Sequence, residues 1–183
     1  MYNPMKYCFI TTIIADSFES GDNPQIFDRN PEHDYYLFTN LPENTYQNTS
    51  WDIITLNENE NCLKGIESNV IKSRFMKFMG WKYIIQNMKK KYDMIVYCDA
   101  TFYPKNKKKD WEEVYKVVKE YGIVQKLKVP ERNAYTECVK IYKKKKDTQK
   151  RSKQMLNFLK EENIPEKRYI TENCYFAYDP TNK

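Results

Sequence analysis

Tyr92-Asp93-Met94-Ile95-Val96-Tyr97-Cys98-Asp99-Ala100-Thr101-Phe102 is the stretch whose reading decides the fold. Met94 to Cys98 is apolar, β-prone and too short to read as a helix, so it predicts a buried strand that ends abruptly at a carboxylate. In an open α/β sheet, ligands sit outside the carboxyl ends of the strands. Asp99 is therefore expected at a sheet rim, where it can meet a ribose hydroxyl or a metal ion. A plain reading stands beside this one: a strand that simply ends at an Asp in a turn.

Outward from that strand, the chain alternates strand-like and helix-like segments. Lys6 to Ile14 is almost entirely apolar or β-branched and predicts a strand buried on both faces. A long polar loop follows from Ala15 to Pro31. Strands are expected at Tyr35–Thr39 and Trp51–Leu56. Ser68 or Asn69 can cap a helix running to about Lys89, with Ile71, Phe75, Phe78, Trp81, Ile85 and Met88 as its inward stripe.

Beyond Asp99, Asp110 with Glu113 reads as a capping box. The helix it opens has Trp111, Val114, Tyr115, Val118 and Tyr121 as its apolar face and Gly122 as its stop. A short strand at Ile123–Leu127, helices at Ala134–Lys144 and Thr148–Glu162, and a last strand at Cys174–Tyr178 complete the pattern. In the second of those helices Met155, Leu156 and Leu159 are expected inward. The sum is a layered α/β domain, Rossmann-like, with a mostly parallel sheet flanked by helices.

Size and composition narrow the chemistry. The 183 residues suit one domain, with two small ones allowed, and 16 Tyr and 9 Phe supply much of the core volume. With only 4 Gly, and neither G-x-x-x-x-G-K-[ST] nor G-x-G-x-x-G, a P-loop NTPase is disfavoured and an ordinary Rossmann dehydrogenase weakened. The sole His, His33, sits in a polar turn, which argues against a Ser-His-Asp triad or a His-rich zinc site.

Five cysteines without a C-x-x-C pair fit buried, reduced thiols and a cytoplasmic setting. There is no apolar run of about 18 residues to span a membrane, and no charged-then-apolar leader pattern. The net charge of +6 gathers largely at Lys105–Lys109 and Lys143–Lys146. Such runs are ordinarily solvated faces, although the first, close to Asp99, can concentrate a polyanionic substrate.

Six strings occur in order: Y-Y-L-F-T-N from Tyr35, W-D-I-I from Trp51, K-S-R-x-x-K from Lys72, Y-D-x-I-V-Y-x-D-A from Tyr92, V-P-E-R-N-A-Y-T-E from Val129 and N-I-P-x-x-x-Y-I-T-E-N from Asn163. Together they resemble the glycosyltransferase-like domains related to plant mucilage hexosyltransferases and their microbial relatives, over about Tyr35 to Tyr178. The resemblance implies a glycosyltransferase-A fold in one continuous domain, with a nucleotide-binding half at about 1–102 and an acceptor-side half at about 103–183. It also implies a nucleotide-sugar donor, UDP-sugar first, and a glycan or other hydroxyl acceptor.

In that fold an Asp-x-Asp motif closes a central strand; the first Asp reaches the ribose and the second holds a divalent metal. Asp99 matches the first position and Thr101 stands at the second. A neutral hydroxyl is a poor anchor for Mg²⁺ or Mn²⁺. Asp99 is thus the one candidate metal ligand, and a metal-assisted and a metal-free donor site both stay open. Related domains tend to carry a His before Pro130, where this chain has Val129.

The leaving nucleoside diphosphate must be neutralised by a metal or by cationic side chains. Arg74 and Lys77, three apart on one helix, are expected to share a face, and Arg132 is a second candidate clamp. The plain alternative is a solvated face with ordinary ion pairs. Glu137 and Glu172 are the candidate bases for the acceptor hydroxyl. Asn173 is a candidate contact to a sugar hydroxyl, and Asp16 to the base or ribose of the donor.

The chain stops a few residues after its last expected strand, so a continuation completing the acceptor side is allowed for. Two other functions compete: a catalytically inactive relative kept as a scaffold, motivated by Thr101, and a nucleic-acid-binding module. Basic runs interleaved with tyrosine favour the latter. The 25 acidic residues and the lack of a recognised motif weigh against it, and nucleic acid is not the expected partner.

Overall fold

A computed structural model of the chain describes residues 5–57, 63–105, 108–127, 133–145, 147–166 and 171–181, with backbone only at 108, 126, 127 and 171–173. The strands are β1 (Tyr7–Ile13), β2 (Asp34–Thr39), β3 (Asp52–Thr55), β4 (Met94–Cys98), β5 (Ile123–Leu127) and β6 (Thr171–Tyr178). The helices are α1 (Asn69–Gln86), α2 (Lys108–Tyr121), α3 (Ala134–Lys143) and α4 (Gln149–Glu161). The chain is α/β, with one mixed six-stranded sheet in the order β3-β2-β1-β4-β6-β5.

The parallel arrangement expected from the sequence holds across β3, β2, β1 and β4. It fails at β6, which runs antiparallel to β4 with Cys98 opposite Tyr175 and Ile95 opposite Tyr178. The chain divides into two compact units, Met1–Val124 with Cys174–Lys183, and Gln125–Asn173. The part of β6 from Cys174 to Tyr178 thus belongs to the first unit.

In the first unit, strand alternation sends successive side chains to opposite faces. Phe9, Ile13, Leu37, Val96 and Cys98 pack with Trp111 and Val118 of α2. Cys8, Ile10, Phe38, Ile95 and Tyr97 pack with Met76 and Ile84 of α1. All seven residues of β1 are buried, as its unbroken apolar run predicts.

The stripe expected on α1 is corrected. Met76, Gly80 and Ile84 face the sheet, while Ile71 and Phe78 are exposed and Phe75, Trp81 and Met88 only flank the contact. The reason is that α1 is apolar on most sides, so residue type does not mark one face. Its inward position is fixed by close approach instead: a Cβ on Gly80 would lie 3.2 Å from the Phe38 ring and 3.4 Å from Ile10 Cδ1.

Three smaller corrections stand beside it. α2 begins at Lys108, so Asp110 lies in its first turn and does not cap it, and Tyr121 is exposed. Met155 on α4 is exposed, with Leu159 the buried residue. His33 sits in its turn but is buried, its ring 4.8 Å from that of Tyr7. Gly122 does end α2, with φ +79°, in the left-handed region that glycine adopts freely.

At the amino edge of the parallel strands, Asp34 collects Lys6 at 3.1 Å, Lys90 at 3.5 Å and the hydroxyl of Tyr92. Burial raises the Asp34 carboxyl. The Tyr92 and Lys6 hydrogen bonds and the two ammonium charges outweigh it, and the group ends below its ordinary range.

In the second unit, Asn133 caps α3 in a capping box with Thr136, and Thr148 caps α4. The Tyr135 hydroxyl on α3 ties the pair by donating to the carbonyls of Leu159 and Ile164, at 3.1 and 2.9 Å.

Candidate functional site

The chain enters the sheet at β1, moves outward to β2 and β3, then crosses by α1 to β4 on the other side of β1. The strand order therefore reverses between β1 and β4. In open α/β sheets, ligands bind at the carboxyl ends of the strands where the order reverses. Asp16 follows β1 there and Asp99 follows β4.

Three side chains of α1, spaced four apart and so on one face, meet this edge. Asn69 donates to Asp16 Oδ1 at 2.6 Å. Ser73 Oγ lies 3.2 Å from Thr12 Oγ1 of β1. Lys77 Nζ lies 2.7 Å from Asp99 Oδ1.

The Lys77–Asp99 ion pair lies at this rim. The Lys77 side chain is 14 % exposed and that of Asp99 35 %. The same Oδ1 accepts the Tyr97 hydroxyl at 2.7 Å, and the ammonium sits 4.5 Å from the Tyr97 ring centroid. Burial, then the Asp99 charge and the shared hydrogen bond, push the Tyr97 hydroxyl far above its ordinary range. It stays protonated and donates. The backbone after β4 is held too: Asp99 N–H donates to the Cys174 carbonyl at 2.8 Å, and Phe102 N–H closes a turn on the Asp99 carbonyl at 2.8 Å. Asn40, just past β2, grips both polar groups of Ala15, accepting from its N–H at 3.0 Å and donating to its carbonyl at 2.9 Å.

Of the residues singled out in the sequence, Asp99 and Lys77 pair at this edge, and Asp16, past the end of β1, accepts a hydrogen bond from Asn69. Thr101 is exposed in the turn beyond it. Arg74 does not join Lys77: it is exposed on α1 and makes no ion pair or hydrogen bond with a described residue. Glu137 lies half-buried in the first turn of α3, in the second unit. Glu172 and Asn173 lie within β6, not in a turn before it, and their side chains fall outside the described set. Arg132 is outside the described residues.

Sequence reasoning missed Tyr97, Ser73 and Asn69. Strand alternation from Asp99 marks Tyr97, and the spacing of four back from Lys77 marks the other two.

Among the described residues, no group of three or more His, Cys, Asp and Glu is arranged to hold a metal ion. Comparison of the chain with protein-family models, curated proteins and solved structures finds no match.

Proposed function

We propose that the chain is a nucleotide-sugar-dependent glycosyltransferase of the glycosyltransferase-A type, moving a hexosyl group, from a UDP-sugar first, to a glycan or other hydroxyl acceptor. The observation that carries this reading is the Lys77–Asp99–Tyr97 cluster at the carboxyl edge of the sheet, beside the β1/β4 reversal. A carboxylate with one oxygen committed to its neighbours has the other for a ribose hydroxyl. An ammonium beside it supplies the positive charge that a departing diphosphate needs. Asp16 is the contact to the base or ribose.

The donor set fits a divalent ion poorly. It comprises one carboxylate, already bonded to Lys77 and Tyr97, and the hydroxyl of Thr101. Lys77 takes the metal's electrostatic part in this reading. Cys8 and Cys98 are buried thiols, which fits the cytoplasmic setting this reading proposes.

A second reading has a specific observation of its own. Lys77 already neutralises Asp99, which is also what an inactive scaffold keeping the fold would do. Isothermal titration against a panel of UDP- and GDP-sugars, with and without Mn²⁺, separates the two. The transferase reading expects binding to one donor that needs no Mn²⁺ and is lost in Asp99→Asn; no binding to any donor rejects it.

A further inference from the structure

The charge of this chain is divided unequally between its units. Residues 125–173 hold 14 of the 31 Lys and Arg but only 7 of the 25 Asp and Glu. That unit therefore carries +7, and the remainder of the chain −1. The excess is concentrated where α3 gives way to α4. Lys143, Lys144, Lys145, Lys150, Arg151 and Lys153 are all exposed there, and the nearest acid, Asp147, is paired with Arg151 at 3.7 Å.

Charge alone would describe a solvated loop. Here it is flanked by large apolar side chains that face solvent: Val139 and Tyr142 on α3, Met155 and Phe158 on α4, each between 39 % and 52 % exposed. Arg151, Met155 and Phe158 follow one another at spacings of four and three, so one face of α4 carries both the cation and the apolar pair. Between the helices, Cys138, Ile141, Met155 and Phe158 line an open cavity of about 390 Å³, with Arg151 and Ser152 also on its wall.

We propose that the 125–173 unit docks on an anionic phospholipid surface, with the α3–α4 lysines against the headgroups and Met155 and Phe158 entering the acyl boundary. Clustered Lys and Arg near a leaflet attract acidic headgroups, and exposed apolar side chains beside them enter the interface. A nucleic acid would satisfy the lysines but has no use for a cavity walled by Ile141, Met155 and Phe158, whereas acyl chains do. No described helix is long and apolar enough to cross a membrane; the contact proposed is a peripheral one. The inference stands whether or not the transferase reading does.

The test is co-sedimentation of the full chain with neutral phosphatidylcholine vesicles and with vesicles in which about a third of the lipid is phosphatidylserine. Binding is expected to the anionic vesicles only and to weaken as salt rises. Reversal of three charges in K143E/K144E/K145E is expected to lower partitioning about a hundredfold or more. M155S/F158S lowers it roughly tenfold while leaving the salt dependence. All five positions are exposed, and unchanged helical circular dichroism confirms that the variants fold; K143Q/K144Q/K145Q serves as a milder charge variant. Equal binding to neutral and anionic vesicles overturns the proposal. So does binding to single-stranded RNA without binding to vesicles, or self-association that abolishes vesicle binding.

Discussion

The Lys77 ammonium stands 2.7 Å from Asp99 Oδ1 and 4.5 Å from the centroid of the Tyr97 ring, so one cation satisfies a carboxylate and an aromatic face together. Because Lys77 is the more buried partner, removing either side leaves a charge with few alternatives. Lys77→Met is expected to cost about 1–2 kcal/mol, below the range for a fully buried pair because Asp99 is partly solvated. Asp99→Asn keeps an acceptor for Tyr97 and is expected to cost less. In urea unfolding of both singles and the double variant, a coupling of about 1 kcal/mol is expected; strictly additive losses would show that the two residues do not sense each other.

Asn40 holds Ala15 by both its backbone polar groups, which fixes the chain where β1 gives way to the Asp16 loop. Asn40→Ala removes two hydrogen bonds at one position and is expected to destabilise by about 1–2 kcal/mol. If the loop shapes a donor site, the variant also weakens nucleotide-sugar binding while the Lys77–Asp99 pair stays intact. Titration and unfolding on the same preparation separate the two effects. Unchanged stability would mean that solvent replaces the amide fully.

The fold was legible where residue type and burial coincide. β1 and β4 are unbroken apolar runs and are buried along their whole length, and Gly122 marks the end of α2. The sequence was ambiguous where many residues are apolar: α1 offers Phe75, Phe78, Trp81 and Ile85 as readily as Met76 and Ile84, and the small size of Gly80 decides between them. The reversed direction of β6 left no local signal, because an antiparallel edge beside β4 is a matter of pairing, not of composition.

The candidate site was half legible for a similar reason. Asp99 and Lys77 are conspicuous by charge. Arg74 is equally conspicuous but is exposed with no partner among the described residues, and Tyr97, Ser73 and Asn69 become meaningful only once α1 lies over the β1/β4 edge.

Gly80 lets α1 approach the sheet. The atoms that a side chain would meet, on Phe38 and Ile10, belong to residues with no solvent exposure and no room to retreat. Alanine gains helix propensity but crowds Phe38, two effects of opposite sign. A larger side chain has only the second: Gly80→Leu is expected to destabilise by roughly 3 kcal/mol through overpacking. Chemical denaturation measures this directly, and a Gly80→Leu protein as stable as the parent would contradict the seating of α1 described above.

Acid should unfold the chain through its amino-edge and carboxyl-end carboxylates. Burial raises Asp179, but Lys119 at 2.7 Å and the Thr181 N–H and hydroxyl at 2.8 and 2.6 Å bring it below its ordinary range. Asp34 is lowered against burial in the same way. A carboxyl whose folded pKa lies below its unfolded value, about 3.9 for Asp, contributes stability that is fully present above that value. The contribution is lost as pH falls through the folded pKa. Stability is therefore expected to hold from neutral pH down to about pH 5 and to fall progressively below it. Asp34→Asn should lower stability at neutral pH and flatten the acid limb, because the variant has no proton to take up at that site. Asp179→Asn should do the same, since Lys119 and the Thr181 N–H and hydroxyl hold Asp179 below its ordinary range. Urea unfolding at pH 7 and pH 3 reads the difference: the gap between parent and Asp34→Asn must narrow at the lower pH, and a gap that persists or widens would place the acid sensitivity elsewhere.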